Sequence, residues 1–321
     1  MNVSTLNVRV ARKAVEAEGV CTFELVETAG QPLPAFSAGS HVDVRLPGGL
    51  TRQYSLCNDP TETHRYLIGV LREPASRGGS AAMHDVVQEG TQLEISAPKN
   101  HFPLAHDARR SLLLAGGIGI TPILCMAERL AMAGADFELH YCTRSPARAA
   151  FAQRIRNGAF ASRAAFHFDD GDAAQKIDLQ ALLATPVDGT HLYVCGPKGF
   201  MDAVLGTARA SGWPEARLHF EFFGADVAPL AGDDSFEVKL ASSGRTVRVA
   251  KDRSVVQALA DAGIVVQTSC EQGVCGTCLT RVIEGVPDHR DVYLTPEEQA
   301  ANDQFTPCCS RAKTPLLVLD L

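Results

Sequence analysis

Over the first hundred residues, apolar and polar positions alternate in short runs. The runs are Leu6–Val10, Cys21–Val26, His41–Leu46, Gln53–Cys57, Tyr66–Leu71 and Gln92–Ser96. Turn residues separate them, as in Pro47-Gly48-Gly49 and Asn58-Asp59-Pro60. A period of two punctuated in this way predicts a small antiparallel β-barrel over residues 1–105. The pattern then changes. Ser111–Ala115 is a continuous apolar strand, followed by a glycine loop and a helical pattern over Pro122–Met132. Phe137–Thr143 and His191–Cys195 are further strands, the second leading through a glycine turn into a helix, Lys198–Val204. Strands alternating with helices predict a parallel α/β domain over 106–226. Residues 227–234 (Val-Ala-Pro-Leu-Ala-Gly-Asp-Asp) read as a linker. In 235–321, Phe236–Leu240 and Thr246–Val249 predict a hairpin around Ser242-Ser243-Gly244-Arg245, and Val255–Ala262 a helix.

Composition adds limits. The chain has 321 residues, 45% hydrophobic and 21% charged, enough to bury ordinary cores in three small domains. Its net charge of −7 argues against nucleic acid as a main partner and against a polybasic membrane contact. The longest apolar run, Leu112–Ala127, is broken by Gly116, Gly117, Gly119 and Pro122 and is too short to span a membrane. Met1–Val10 contains no apolar h-region, so no signal peptide is expected. The ten cysteines do not suggest a disulfide framework, and free thiols fit a reducing cytosol.

Four of those cysteines carry the strongest chemical signal. Cys270, Cys275 and Cys278 follow C-x₄-C-x₂-C, and after 29 residues comes Cys308. This is the plant-type spacing for a 2Fe–2S cluster. Gly273 and Gly276 let the backbone curl around the metal and aim N–H groups at sulfur. Cys309 competes with Cys308 for the fourth position. Zinc is the other metal to weigh, but structural zinc sites favour two paired ligand halves and only one is present.

The remaining motifs are weaker singly. Ala115-Gly116-Gly117-Ile118-Gly119-Ile120-Thr121-Pro122 lies between a strand and a helix, where Thr121 can cap the helix and Pro122 can open it. Such a turn suits a pyrophosphate, or is simply a tight connection. Cys195-Gly196-Pro197 makes a second strand–helix turn, where a ligand at the carboxyl end of the sheet is one reading and a structural turn the other. In Arg52-Gln53-Tyr54-Ser55, alternation puts Arg52 and Tyr54 on one face and Gln53 and Ser55 on the other. A flavin needs an apolar wall, a donor near N5 and cations for its phosphate, which Tyr54, Ser55 and Arg52 can supply. Arg77-Gly78-Gly79-Ser80 offers an arginine, free amides and a hydroxyl to a phosphate.

Taken in order, R-x-Y-S, G-G-S, G-G-I-G-I-T-P and C-G-P resemble the ferredoxin–NADP reductase-like flavoproteins. The C-terminal cysteines narrow the resemblance to the phthalate dioxygenase reductase and vanillate O-demethylase reductase family, the FMN-containing reductases of Rieske oxygenases. Residues 52–59, His-Phe-Glu-Phe-Phe-Gly at 219–224 and Asp288-His289-Arg290-Asp291 are similar to that family too. The resemblance covers the whole chain. It implies an N-terminal flavin-binding β-barrel, a parallel α/β nicotinamide-binding domain and a C-terminal plant-type ferredoxin domain of β-grasp fold. It implies that Arg52, Tyr54 and Ser55 hold FMN, that Gly69, Val70 and Leu71 line it through backbone groups, and that Arg77, Gly79 and Ser80 bind its phosphate. Gly116, Gly117, Gly119 and Thr121 would face NADH, with Arg144 toward its adenosine half. Cys195, with Gly196 and Pro197, would lie near the nicotinamide, and Phe223 would stack on the flavin. The plainer alternatives are a small buried thiol for Cys195, a core ring for Phe223 and a solvated charge for Arg144.

The resemblance further implies a cytoplasmic monomer. It would pass electrons from NADH through FMN to the cluster and on to the Rieske centre of an oxygenase acting on an aromatic substrate. FAD in place of FMN, and NADPH in place of NADH, stay open, the latter because of Arg144 and Arg148. Two rival functions also stay open: a stand-alone flavin reductase or diaphorase, and a non-catalytic iron–sulfur carrier. An iron–sulfur sensor is disfavoured because no basic helix-turn-helix pattern is present. Residues 235–321 carry nine Lys and Arg against eleven Asp and Glu, too mild a balance for strong electrostatic steering.

Overall fold

The alternating stretch at the start of the chain folds into one curled antiparallel sheet. In the computed structural model, which describes residues 5–47, 49–74, 78–224 and 232–321, the chain divides into two units, Met1–Glu221 and Phe222–Leu321. The first sheet consists of β1 (Thr5–Ala17), β2 (Val20–Glu27), β3 (Ser40–Arg45), β4 (Thr51–Ser55), β5 (Tyr66–Leu71), β6 (Gln92–Ser96) and β7 (Lys99–Asn100). Its order is β4-β3-β6-β1-β2-β5, with β7 on β3. A bridge between Leu56 and Ile68 links the two ends, so the sheet curls nearly closed. Val8, Val10, Phe23, Leu25, Val44 and Ile68 fill its interior. β1 runs seven residues past the expected Val10, because register shifts after Val10 and Val15 break its alternation without ending the pairing. One short helix, α1 (Gly79–Asp85), follows β5.

The second sheet of the same unit contains β8 (Arg110–Gly116), β9 (Asp136–Thr143), β10 (Ala164–Phe168), β11 (Thr190–Cys195) and β12 (Leu218–Glu221). All its pairings are parallel and the order is β10-β9-β8-β11-β12. The helices between these strands are α2 (Ile120–Met132), α3 (Ala152–Asn157), α4 (Leu179–Leu183) and α5 (Lys198–Ala210). Every residue of β11 and all but the first of β8 are buried, as a strand covered on both faces requires. The chain leaves β8 outward through β9 and β10, then returns to β11 on the other side. The gap between β8 and β11 is thus the point where strand order reverses, the usual ligand crevice of such sheets.

Barrel and α/β sheet are joined by specific contacts within this unit. Ala105 N–H donates to Tyr193 Oη at 2.8 Å, and Phe151 N–H donates to Glu16 Oε1 at 2.9 Å. Phe151 has φ of 59°, rare for an aromatic residue, and its ring is buried. A Cβ on Gly69 of β5 would lie 3.0 Å from the Thr121 methyl and 3.1 Å from the Phe151 ring, so this ring is wedged between the two sheets.

The second unit has β13 (Phe236–Leu240), β14 (Thr246–Val249), β15 (Thr280–Glu284), β16 (Pro287–Asp288), β17 (Gln304–Phe305), β18 (Arg311–Ala312) and β19 (Leu316–Leu319). Its main sheet has the order β14-β13-β19-β15-β17, with β13 and β19 parallel and the other pairs antiparallel. Helix α6 (Val255–Asp261) buries Val255, Ala258 and Leu259 against Phe236, Val238 and Leu317, completing a β-grasp. Ser254 and Gln257 form its capping box. A second capped helix, α7 (Pro296–Ala301), precedes β17. Of the linker expected over 227–234, residues 227–231 lie outside the described residues. Its last part is anchored: Asp233 accepts from Arg290 Nη1 at 2.9 Å, and the Asp234 carbonyl from Arg311 Nη2 at 3.0 Å.

Candidate functional site

The loop after α6 brings cysteine thiols together two by two. Cys270 and Cys275 hydrogen-bond through their side chains, and so do Cys278 and Cys308. Cys270, Cys278 and Cys308 are buried. The Cys270 thiol donates to Cys275 and holds it below the usual thiol range, and the Cys308 thiol likewise lowers Cys278. Gln272 N–H points at Cys270 Sγ from 3.3 Å. Gly273 and Gly276 have φ of 70° and 66°, and a Cβ on Gly276 would lie 2.2 Å from Cζ of Tyr293. Among the described residues no three ligands converge on one point, as a mononuclear zinc site would require. Two pairs of thiols fit a dinuclear cluster with two cysteines on each iron. Cys309 has different company besides Cys308, with Thr306 Oγ1 at 3.2 Å and Ser310 Oγ at 3.8 Å.

In the first unit, the two glycine turns meet at the switch point. A Cβ on Gly119 would lie 2.2 Å from the Cys195 carbonyl oxygen, and one on Gly196 would lie 2.9 Å from Gly116 Cα. Pro197 is the N-cap of α5. Thr121 does not cap α2, contrary to expectation. A 3₁₀ turn over Gly117–Gly119 starts the helix early, and Thr121 Oγ1 donates to the Ile118 carbonyl at 3.0 Å.

In β4, Arg52 and Ser55 are buried on opposite faces of the strand. The Arg52 side chain crosses Gly79, where a Cβ would lie 2.7 Å from Cγ, at the first turn of α1. No side chain caps that turn. An arginine beside uncapped amides is a suitable cradle for a phosphate. Ser80 Oγ accepts from Glu73 N–H at 3.1 Å. Arg77 lies outside the described residues. Tyr54 is packed against the barrel core, and burial pushes its hydroxyl pKa up. Gly69, Val70 and Leu71 pair with Thr22, Cys21 and Val20 of β2. Arg144 is exposed just after β9, and Phe223 is half-buried just after β12.

The residue that sequence reasoning missed here is Glu221. It ends β12 opposite Cys195 in the ladder. Ser55 Oγ donates to its Oε2 at 3.4 Å, and His41 Nδ1 is 4.0 Å from Oε1. Burial raises Glu221 to about 7 and lowers His41 to about 4, so at neutral pH His41 is uncharged and offers no ion pair. Cys195 is fully buried, with burial and then Glu221 raising its pKa. The one signal in the sequence was an acid set among aromatics, Phe220-Glu221-Phe222-Phe223.

A pH dependence follows. Below 4.5, its ordinary value, Glu221 is protonated in both the folded and unfolded chain. As pH rises from 4.5 to about 7, the unfolded chain ionises and the folded chain does not, so stability falls across that window. Glu221→Gln removes this loss. Its stability gain is expected to be near zero at pH 4 and about 3 kcal/mol at pH 8. Denaturant midpoints of both proteins at the two pH values measure it, and a gain that does not vary with pH would exclude the carboxyl proton as the cause.

Comparison with known proteins agrees with this geometry. The 2Fe-2S iron-sulfur cluster binding domain family matches residues 238–313, and the family of the dimethylamine monooxygenase subunit DmmA-like N-terminal domain matches residues 96–218. The chain is 60% identical over 307 residues to a vanillate O-demethylase oxidoreductase of Pseudomonas putida, covering 95% of this chain and 96% of that one. It is 40% identical to a phthalate dioxygenase reductase of Burkholderia cepacia, covering 98% and 97%. A solved phthalate dioxygenase reductase, described as a modular structure for electron transfer from pyridine nucleotides to 2Fe–2S, superposes with a TM-score of 0.83 at 39% identity, covering 99% and 98%. With two glycine turns at a sheet crevice, paired thiols on a β-grasp and relatives matched end to end, the chain belongs to the vanillate O-demethylase oxidoreductase and phthalate dioxygenase reductase family.

Proposed function

We propose that this protein is the NADH-dependent reductase of an aromatic O-demethylase or ring oxygenase. It passes electrons from NADH through FMN to a 2Fe–2S cluster and on to the Rieske centre of the oxygenase. The observation that carries this reading is the meeting of two βα turns with Ser55 and Glu221, a site for a two-electron donor, in a chain that also pairs four thiols for a one-electron centre. The 60% identical relative is named for vanillate demethylation, which makes an aromatic O-demethylase the partner to test first. Among the described residues no helix is long and apolar enough to cross a membrane, and all ten cysteines are free. Free thiols fit a reducing cytoplasm, where we take the protein to act as a monomer.

The flavin, when bound, accepts a hydride and releases electrons singly. The protein binds and orients. Arg52 and Gly79, with Ser80 and Arg77, would hold the phosphate. Tyr54 would wall the ring, and the backbone of Gly69, Val70 and Leu71 would line it. Ser55 would lie at the reacting edge with its O–H directed to Glu221. Gly116, Gly117, Gly119 and Thr121 would receive the nicotinamide nucleotide, Arg144 its adenosine half, and Cys195, Gly196 and Pro197 the nicotinamide end. Phe223 would stack on the flavin. Cys270, Cys275, Cys278 and Cys308 would ligate the irons. The division into 1–105, 106–226 and 235–321 assigns flavin, nucleotide and cluster in that order.

The test is an anaerobic NADH titration of the full chain with its separately purified O-demethylase oxygenase. The expected result is flavin bleaching, then the cluster's electron-paramagnetic signal, then Rieske reduction that depends on the reductase. In Phe223→Ala the flavin absorbance should shift and the cluster signal should not. Flavin reduction without any Rieske reduction would leave a diaphorase in place of an oxygenase reductase.

A further inference from the structure

Among the described residues, a buried carboxylate with no arginine or lysine partner lies beside the cluster loop. Asp291 has no exposed side-chain surface. Its Oδ2 accepts from Leu294 N–H at 2.8 Å and Tyr293 N–H at 3.2 Å, and its Oδ1 accepts from Ser310 Oγ at 3.2 Å. The neighbouring arginines do not pair with it: Arg290 goes to Asp233 and Asp288, and Arg311 lies 3.7 Å from Asp233. The nearest basic group is His289 Nδ1 at 3.7 Å, without a hydrogen bond. Half-buried Asp233, by contrast, is tied to Arg290. A buried carboxylate faced by no cation other than a histidine at 3.7 Å is costly to keep.

Its surroundings tie it to the cysteines. Ser310 Oγ lies 3.1 Å from Thr306 Oγ1, which lies 3.2 Å from Cys309 Sγ. Val292 N–H donates to the Gly273 carbonyl at 3.1 Å, and the Tyr293 ring covers Gly276. The strap from Asp291 to Leu294 is therefore clamped onto the loop that carries Cys270, Cys275 and Cys278.

We propose that Asp291 sets the reduction potential of the cluster, its fixed negative charge opposing the electron that the cluster receives. This rests on the assignment of the four thiols to a 2Fe–2S cluster. In the step concerned, one electron passes from the NADH-reduced flavin to the cluster. No bond is made or broken, and the cluster's charge becomes more negative by one. Net charge near an iron–sulfur cluster is one of the main controls of its potential, and low-dielectric surroundings strengthen the effect. Asp291 touches neither iron nor substrate and is a positioning and charge-setting residue.

The potential of the full chain is titrated by following the cluster's electron-paramagnetic signal. Asp291→Asn removes the charge but keeps an acceptor for Leu294 N–H, and Asp291→Ser does the same with a smaller side chain. Either is expected to shift the donor–cluster equilibrium at least tenfold toward reduced cluster, about 59 mV for one electron. Asp291→Glu keeps the charge and should stay within about threefold of the native equilibrium. A merely structural carboxylate would alter stability and cluster content but not the potential of the loaded fraction. A neutral variant that loads and keeps the native potential overturns the proposal. Loss of the cluster from both neutral variants does so too, because the carboxylate would then serve assembly. A native chain with no 2Fe–2S signal would instead refute the cluster assignment, before any variant is made.

Discussion

Cys308→Ala is expected to purify with its flavin and without its cluster, iron falling from about two per chain to near zero. The second pair is then left with one thiol, because Cys278 has Cys308 as its hydrogen-bonded partner. An iron held by a single cysteine does not persist. Cys309→Ala should keep both irons, since Cys309 also sits against Thr306 and Ser310 and the spacing from Cys278 favours its neighbour. NADH-driven reduction of ferricyanide should survive in both variants, because the nucleotide turns lie in the other unit. Iron content, visible absorbance and ferricyanide turnover measured together decide it. A cluster retained by Cys308→Ala and lost by Cys309→Ala would reverse the ligand assignment.

The second large effect is expected at Gly119. Its φ of −60° suits any residue, so space alone demands glycine. An added Cβ would stand 2.2 Å from the Cys195 carbonyl oxygen and 2.6 Å from Gly196 N, both backbone atoms that cannot swing away. Gly119→Ala must therefore push the two turns apart. Overpacking of this kind costs about 1–3 kcal/mol, or roughly 2–4 °C in melting temperature per kcal/mol for a unit of this size. The functional loss should exceed the structural one, because displacing a bound reactant by about 1 Å lowers rates roughly 10²-fold. Gly117 is the contrast: its φ is 52° and nothing lies within 4 Å of a Cβ there. Gly117→Ala should leave the two turns in place, so its melting temperature should fall only by the cost of the backbone strain. Equal ferricyanide turnover in Gly119→Ala and the native chain would mean that the crevice between β8 and β11 does not bind the nucleotide.

Much of this arrangement was legible in the chain because its chemistry is local. Three cysteines on one loop, and glycines between a strand and a helix, announce themselves by spacing. The strands Gln92–Ser96 and Phe236–Leu240 matched their sequence limits because turn residues bound them on both sides. Three elements between residues 144 and 189 were not legible. α3 and α4 are six and five residues long, too short for a helical period to appear. β10, Ala164–Phe168, is an edge strand of mostly half-buried residues with no sustained alternation. Glu221, His41 and Asp291 were hidden for another reason. A charged letter reads as solvent unless its neighbours in space are known, and these neighbours come from distant segments. Ser55 and Glu221 are 166 positions apart, and Ser310 and Asp291 are 19.

The left-handed Phe151 has a consequence for how the first unit comes apart. Its backbone is held by Glu16 of the barrel, while its ring touches Gly69 of the barrel and belongs to the α/β half. Neither half can open at this point without releasing the other, and a strained φ persists only while both hold it. Residues 5–221 should therefore melt as one cooperative block despite containing two sheets with separate cores. Evolution could exchange the cluster unit as a cassette, but the barrel and the nucleotide sheet have to be inherited together.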